Sequence, residues 1–182
     1  MTGALAKRYA RALAEVARDD HALESALEEL ERAAAWVGDP ELGAALSSPA
    51  LDLDARRALL SQLTATLELS ELVRHFLELL LRNHRLALLP AGVRAYRRIV
   101  DDELGRTRAR VRSAADLPEA SRAEIRSALE RLHGKKVLLS VEVDPALLGG
   151  ITVEIEGRVY DGSVRTQLAH LSRALVREEA AG

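Results

Sequence analysis

Apolar positions recur with the period of a helix from residue 4 to about residue 104, and with the period of a strand beyond it. In the opening segment Leu5, Tyr9, Ala12, Leu13 and Val16 share one helical face. Asp19 and Asp20 interrupt that face and are placed to cap a second helix carrying Leu23, Leu27, Leu30, Ala34 and Val37, which Gly38 and Pro40 close. A short helical segment over residues 41–46 stops at Ser47, Ser48 and Pro49. Asp54 is set to cap a fourth helix with Leu59, Leu60, Leu63 and Leu67. Ser70 caps a fifth with Leu72, Val73, Phe76, Leu77, Leu79, Leu80 and Leu81. The apolar arc of this fifth helix is too wide for one contact face, so it should be buried on two sides or offer a second face to a partner. Pro90 suits the first turn of a sixth helix with Val93, Tyr96, Ile99, Val100 and Leu104, ended by Gly105. Six helices on short loops predict a bundle.

Past Gly105 the pattern changes. Thr107, Ala109, Val111 and Ser113 alternate with Arg106, Arg108, Arg110 and Arg112, which predicts a strand with an arginine ladder on one face. Pro118 opens a helix with Ile125, Leu129 and Leu132, ended by Gly134. Val137, Leu139, Val141 and Val143 then alternate with Leu138, Ser140 and Glu142 as a second strand. Asp144-Pro145 and Gly149-Gly150 turn the chain into Ile151, Val153 and Ile155, and Gly157 turns it again into Val159 and Tyr160, a hairpin. Asp161-Gly162 closes the hairpin, and Ser163 caps a last helix with Val164, Leu168, Leu171 and Leu175. The expected fold is mainly α: an N-terminal six-helix bundle over residues 1–105, then a small α+β domain over residues 106–182.

Composition narrows the chemistry. The 33 Leu and 31 Ala are strong helix formers, only five residues are aromatic, and Cys is absent. No disulfide scaffold, thiolate zinc site, iron–sulfur cluster or cysteine nucleophile is possible. So few aromatics also leave no base-stacking platform. With 26 basic and 28 acidic residues the chain has no basic nucleic-acid footprint. The first residues lack the unbroken apolar core of a signal peptide. The most apolar run, residues 76–81, falls far short of the ~20 residues that span a bilayer.

The candidate sites mostly favour plain structural roles. His21, His75, His84, His133 and His170 are scattered, without metal-ligand spacing. Gly149-Gly150 lacks the Lys-Ser/Thr that completes a phosphate loop and reads as a turn between strands. Asp161-Gly162-Ser163 could seat an anion at a helix N-terminus, but the charge of Asp161 opposes one, leaving a turn and an N-cap. Asp101, Asp102 and Glu103 could ligate a cation, but adjacent helical residues do not face each other, so they read as a solvated helix end before a domain junction. Arg106, Arg108, Arg110 and Arg112 could bind a nucleic-acid backbone or an acidic helix, while the plainer reading is a solvated face that also protects a sheet edge. The opening helix and the Ser70 helix could frame a groove for a partner helix, or could simply supply core.

The run Lys7-Arg8-Tyr9-Ala10-Arg11-Ala12-Leu13-Ala14-Glu15-Val16-Ala17, the segment Asn83-His84-Arg85-Leu86 and, most specifically, Leu148-Gly149-Gly150-Ile151 with Gly157-Arg158-Val159-Tyr160-Asp161-Gly162-Ser163-Val164-Arg165 form a recognisable set. Together they resemble the δ subunit family of F-type ATP synthases, which includes the mitochondrial oligomycin-sensitivity-conferring protein. The resemblance covers essentially the whole chain. It implies a non-catalytic stator subunit without cofactor or metal, present in one copy per complex. Such a subunit is peripheral at the cytoplasmic face of the cell membrane and has no segment in the bilayer. It further implies that a groove between the first and fifth helices binds the N-terminal helix of an α subunit. Carried onto this chain, the groove residues are Leu5, Tyr9, Leu13, Val16, Leu72, Phe76, Leu79 and Leu80. The C-terminal domain is expected to meet the C-terminal ends of the b subunits, with the arginine ladder as contact. Gly149, Gly150, Asp161, Gly162, Ser163 and Val164 are expected to be structural. From another class, an RNA-binding adaptor using the ladder is the alternative.

Overall fold

The computed structural model describes residues 2–40, 43 and 51–162. The chain falls into two compact units that part between Val100 and Asp101. The described helices of the first unit are α1 (Thr2–Asp19), α2 (Leu23–Val37), α3 (Leu53–Thr66), α4 (Glu71–Arg82), a 3-10 turn (Leu86–Leu88) and α5 (Leu89–Glu103), whose end from Asp101 onward belongs to the second unit. Pro40 and Gly43 are also helical. The rest of the expected segment 41–46, and the last helix with Ser163, Val164, Leu168, Leu171 and Leu175, lie outside the described residues.

The helix ends correct the expected capping. Asp52, not Asp54, caps α3: its carboxylate accepts from the Ala55 N–H at 2.7 Å. Asp54, inside the first turn, pairs instead with Arg57 at 3.3 Å. Asp19 and Asp20 do not cap α2, because α1 runs through Asp19 and the N-cap of α2 is Ala22, without a side-chain cap bond. Ser70 does cap α4, accepting from Val73 N–H at 3.4 Å, and Glu29 of α2 accepts from both the N–H and the hydroxyl of Ser70 at 2.7 Å. Three helices end in the same paired turn. Ala22 and His21 donate back to Ala17 and Arg18, Leu69 and Glu68 to Thr64 and Ala65, and Arg85 and His84 to Leu80 and Leu81. The turning residues His21, Glu68 and His84 are left-handed, with φ of 54°, 50° and 54°. Glycine normally fills that place, so no glycine marks these stops in the sequence.

In the core of the first unit, α1 contributes Ala6, Ala10, Leu13, Ala14 and Ala17, all buried. The Ala stripe, not the Leu5–Tyr9–Val16 side, is the inward face of α1. Small side chains let neighbouring helices approach closely; Leu13 joins them inside, and Leu5, Tyr9 and Val16 stay toward the margin. Val73, Leu77, Leu80 and Leu81 of α4 are buried, as are Val93, Tyr96 and Val100 of α5. Each fully buried Leu or Val contributes about 1.5–3 kcal/mol. The Tyr96 hydroxyl donates to Leu23 O at 3.3 Å, and burial pushes its ionisation up to about 12.

Among the described residues the second unit holds a four-stranded sheet in the order β2-β1-β3-β4, formed by β1 (Arg106–Ser113), β2 (Lys136–Val143), β3 (Ile151–Ile155) and β4 (Arg158–Asp161). β1 and β2 are parallel and are joined through α6 (Glu119–His133), whereas β3 runs antiparallel to both β1 and β4. A parallel pair needs such a crossover helix. Leu129 of α6 packs against Ala109, Val111, Val137, Val153 and Ile155. Gly134 ends α6 in the left-handed conformation, at φ 67°. Gly157 and its neighbour Glu156, at φ 77° and 50°, make the tight hairpin turn between β3 and β4. β1 is therefore an inner strand, paired on both sides, and the edge protection expected of its arginines has no edge to protect.

Candidate partner-binding groove

The helices expected to frame a groove do meet. Tyr9 of α1 and Phe76 of α4 stand edge to face, with centroids 6.4 Å apart and planes at 70°. Such a pair is worth about 0.5–1.5 kcal/mol beyond its buried area. The eight candidate residues divide around it. Leu13, Phe76 and Leu80 are buried in the core at 4%, 9% and 1% exposure. Tyr9 and Leu72 are half-buried against that core, and Leu5 is also half-buried. Val16 and Leu79 are open at 49% and 47%. Helical spacing alone left core and groove undivided, because both lie on the same broad apolar arc of each helix.

Arg85 is the participant that spacing could not supply. The paired turn after α4 carries it back toward α1, where its Nη1 donates to Tyr9 Oη at 2.7 Å and its guanidinium lies 5.8 Å from the Tyr9 ring centre. The two residues are far apart in sequence, and no periodic signal links them. Beside them opens a cavity of about 610 Å³ lined by Ala4, Leu5, Arg8, His84, Arg85, Ala87 and Leu88.

In the second unit the arginine ladder forms as expected, but its charge is compensated. Asp101 accepts from Arg106 Nε at 2.8 Å and from Arg108 Nε at 2.7 Å. Arg110 lies 3.5 Å from Glu142 and Arg112 lies 3.8 Å from Asp144. Asp101 is therefore buried and tied to β1, whereas the sequence suggested a solvated helix end. A smaller ionic cluster joins Lys135 to Glu156 at 3.4 Å and to Asp102 at 3.5 Å. Burial works to raise the Glu156 carboxyl, but the hydrogen bond and charge of Lys135, with His133 and Thr107 adding to them, hold it below its usual range. The hydrogen bond and charge of Glu156 raise Lys135 in turn. Gly149, Gly150, Asp161 and Gly162 lie at turns or strand ends, Gly150 with φ 78° and Gly162 N–H donating to Ile151 O at 3.0 Å. Ser163 and Val164 are outside the described residues. Among the described residues no helix is long and apolar enough to cross a membrane.

The mainly helical α+β fold has a counterpart in a chain of the cryo-EM structure of the Toxoplasma gondii mitochondrial ATP synthase hexamer, with a TM-score of 0.67 at 23% identity, covering 94% of this chain and 97% of that one. The family model described as ATP synthase delta (OSCP) subunit matches residues 5–175. The chain is 40% identical to the ATP synthase subunit delta of Citrifermentans bemidjiense over 175 residues, covering 96% of this chain and 97% of the relative. It is also 40% identical to that of Anaeromyxobacter dehalogenans over 178 residues, with 96% and 98% covered. The chain belongs to the ATP synthase delta (OSCP) subunit family. Its role is that of a stator subunit, structural and non-catalytic.

Proposed function

We propose that the chain fastens the catalytic head of an F-type ATP synthase to its membrane-anchored stalk through two separate attachments. The first unit takes the N-terminal helix of an α subunit into the groove between α1 and α4. Leu5, Tyr9, Val16, Leu72 and Leu79 touch the guest, while Leu13, Phe76 and Leu80 hold the floor from the core. In this reading residues 1–105, with the segment 41–46, make a six-helix bundle. Residues 106–182 meet the C-terminal ends of the b subunits. There Arg108, Arg110 and Arg112 have side chains open enough to reach a partner, whereas Arg106 serves mainly to hold Asp101. One copy serves one complex, peripheral at the cytoplasmic face of the cell membrane, without cofactor and without nucleic acid.

One observation carries the groove. Large apolar residues, Val16 of α1 and Leu79 of α4, stay accessible on the helices that the Tyr9–Phe76 contact joins, because α1 fills its core face with four alanines and Leu13. An amphipathic helix laid there gains affinity from buried apolar area, and its linkage to a second attachment adds avidity. The ladder gives no such support to the RNA alternative, since each arginine has a carboxylate within 3.8 Å and little uncompensated charge faces a polyphosphate. The test is calorimetric titration of the full chain with a peptide copying the N-terminus of an α subunit. Saturable binding at micromolar concentration is expected, lost in Leu79→Glu, a substitution the open position tolerates. No heat with the unaltered chain would overturn the groove.

A further inference from the structure

We infer that the helix held by this groove carries an acidic side chain that enters the cavity between the first turns of α1 and the turn after α4, an inference that rests on the proposed groove. The cavity adjoins the proposed groove, since its lining includes Leu5, a proposed groove residue, and Arg85, which is bonded to Tyr9, another of them. The lining offers an apolar floor from Ala4, Leu5, Ala87 and Leu88, and at its polar positions it has only Arg8, His84 and Arg85. No carboxylate is among the lining residues. Arg8 makes no hydrogen bond or ion pair among the described residues, and the one side-chain bond of Arg85 goes to a neutral hydroxyl.

Two guanidinium groups that cannot lose their charge thus share a partly apolar cavity whose lining supplies no counter-charge among the described residues. This differs from the ladder in the second unit, where every arginine has its acid. A guanidinium favours a carboxylate, with which it can form two parallel bonds, and an apolar surround strengthens that attraction over its value in water. Arg85 is already oriented by Tyr9, so little side-chain freedom is lost when a carboxylate arrives. The apolar part of the cavity suits the aliphatic stem of a glutamate or the neighbouring turn of a helix. The acid therefore fixes the register of the guest in a groove whose apolar walls alone would allow sliding.

The experiment is a titration of the full chain with the same α-derived peptide and with versions in which each Asp or Glu is changed to its amide. One amide peptide is expected to bind about three- to tenfold more weakly. Arg8→Gln is expected to cause the same loss and to make that amide change silent. Salt should weaken the unaltered pair more than the Arg8→Gln pair. Arg8→Glu with the matching acid→Lys peptide should recover binding. If every peptide binds alike and neither salt nor Arg8→Gln matters, the acidic anchor is wrong while the groove stands. If no peptide binds, the groove itself fails and the anchor with it. Inorganic phosphate alone, added without peptide, should bind far more weakly; binding as tight as the peptide's would make the cavity a simple anion site and overturn the inference.

Discussion

Glu68, His21 and His84 hold a backbone conformation that costs an L-residue roughly 1–2 kcal/mol, each in the turn that stops a helix. At His84 the strain has an evident use, because the turn it makes returns Arg85 to Tyr9 beside the cavity. Glu68 is exposed and has no such companion, so it offers a clean measure of the strain. Glu68→Gly should stabilise the chain by about 1 kcal/mol, read as a higher urea midpoint at unchanged slope. An unchanged or lower midpoint would show that the turn is not strained at that position. At this scale the sequence was least legible. Asp54 looked like a cap and Asp52 is one, two residues earlier. Asp19 and Asp20 looked like caps and are a helix end and a turn. A side chain that accepts one backbone N–H is indistinguishable, by type alone, from a neighbour that pairs with an arginine.

At the scale of elements, α1 and β1 each carry two faces with different work. In α1 Ala6, Ala10, Ala14 and Ala17 pack inward with Leu13, and Leu5, Tyr9 and Val16 are left toward the edge. The period of three to four was readable, but its inward direction was not, since Ala and Leu are both apolar and volume decides which side packs more closely. In β1 the alternation was fully legible: Thr107, Ala109, Val111 and Ser113 are buried, as the period of two predicts. Its place in the sheet was not, because pairing partners lie many residues away. Nor did residue type reveal the contact of Arg106 and Arg108 with Asp101, which depends on how the chain turns between α5 and β1. Asp101→Asn keeps the shape and removes the charge that both guanidinium groups face. With the Asp101 side chain only 11% exposed and Arg106 at 18%, the loss should be about 2–4 kcal/mol in the second unit. Hydrogen exchange of the β1 amides reads it directly; protection equal to that of the unaltered chain would show the pair to be energetically idle.

Over the whole molecule, the change of period near Gly105 and the parting of the two units between Val100 and Asp101 fall within one helical turn or so of each other. A chain ending at Gly105 is expected to keep a helical circular dichroism spectrum and to bind the α-derived peptide as the full chain does. It should lose any affinity for a segment copied from the C-terminal end of a b subunit. An unfolded fragment would mean that the two units do not fold separately.

The sheet order adds a consequence in time. β1 is made first and ends in the middle, between β2 and β3. Its second neighbour is complete only when Ile155 has been added. At about 5–20 residues per second, synthesis leaves β1 with neither or only one neighbour for a few seconds. Throughout that interval β1 has open hydrogen-bonding edges. Four like charges on alternate residues make the pairing of two such nascent strands repulsive. The arginines of β1 thus oppose the pairing of unfinished chains with their own copies: Asp101, the partner of Arg106 and Arg108, is already made, but Glu142 and Asp144, the partners of Arg110 and Arg112, follow only with β2 and the turn after it.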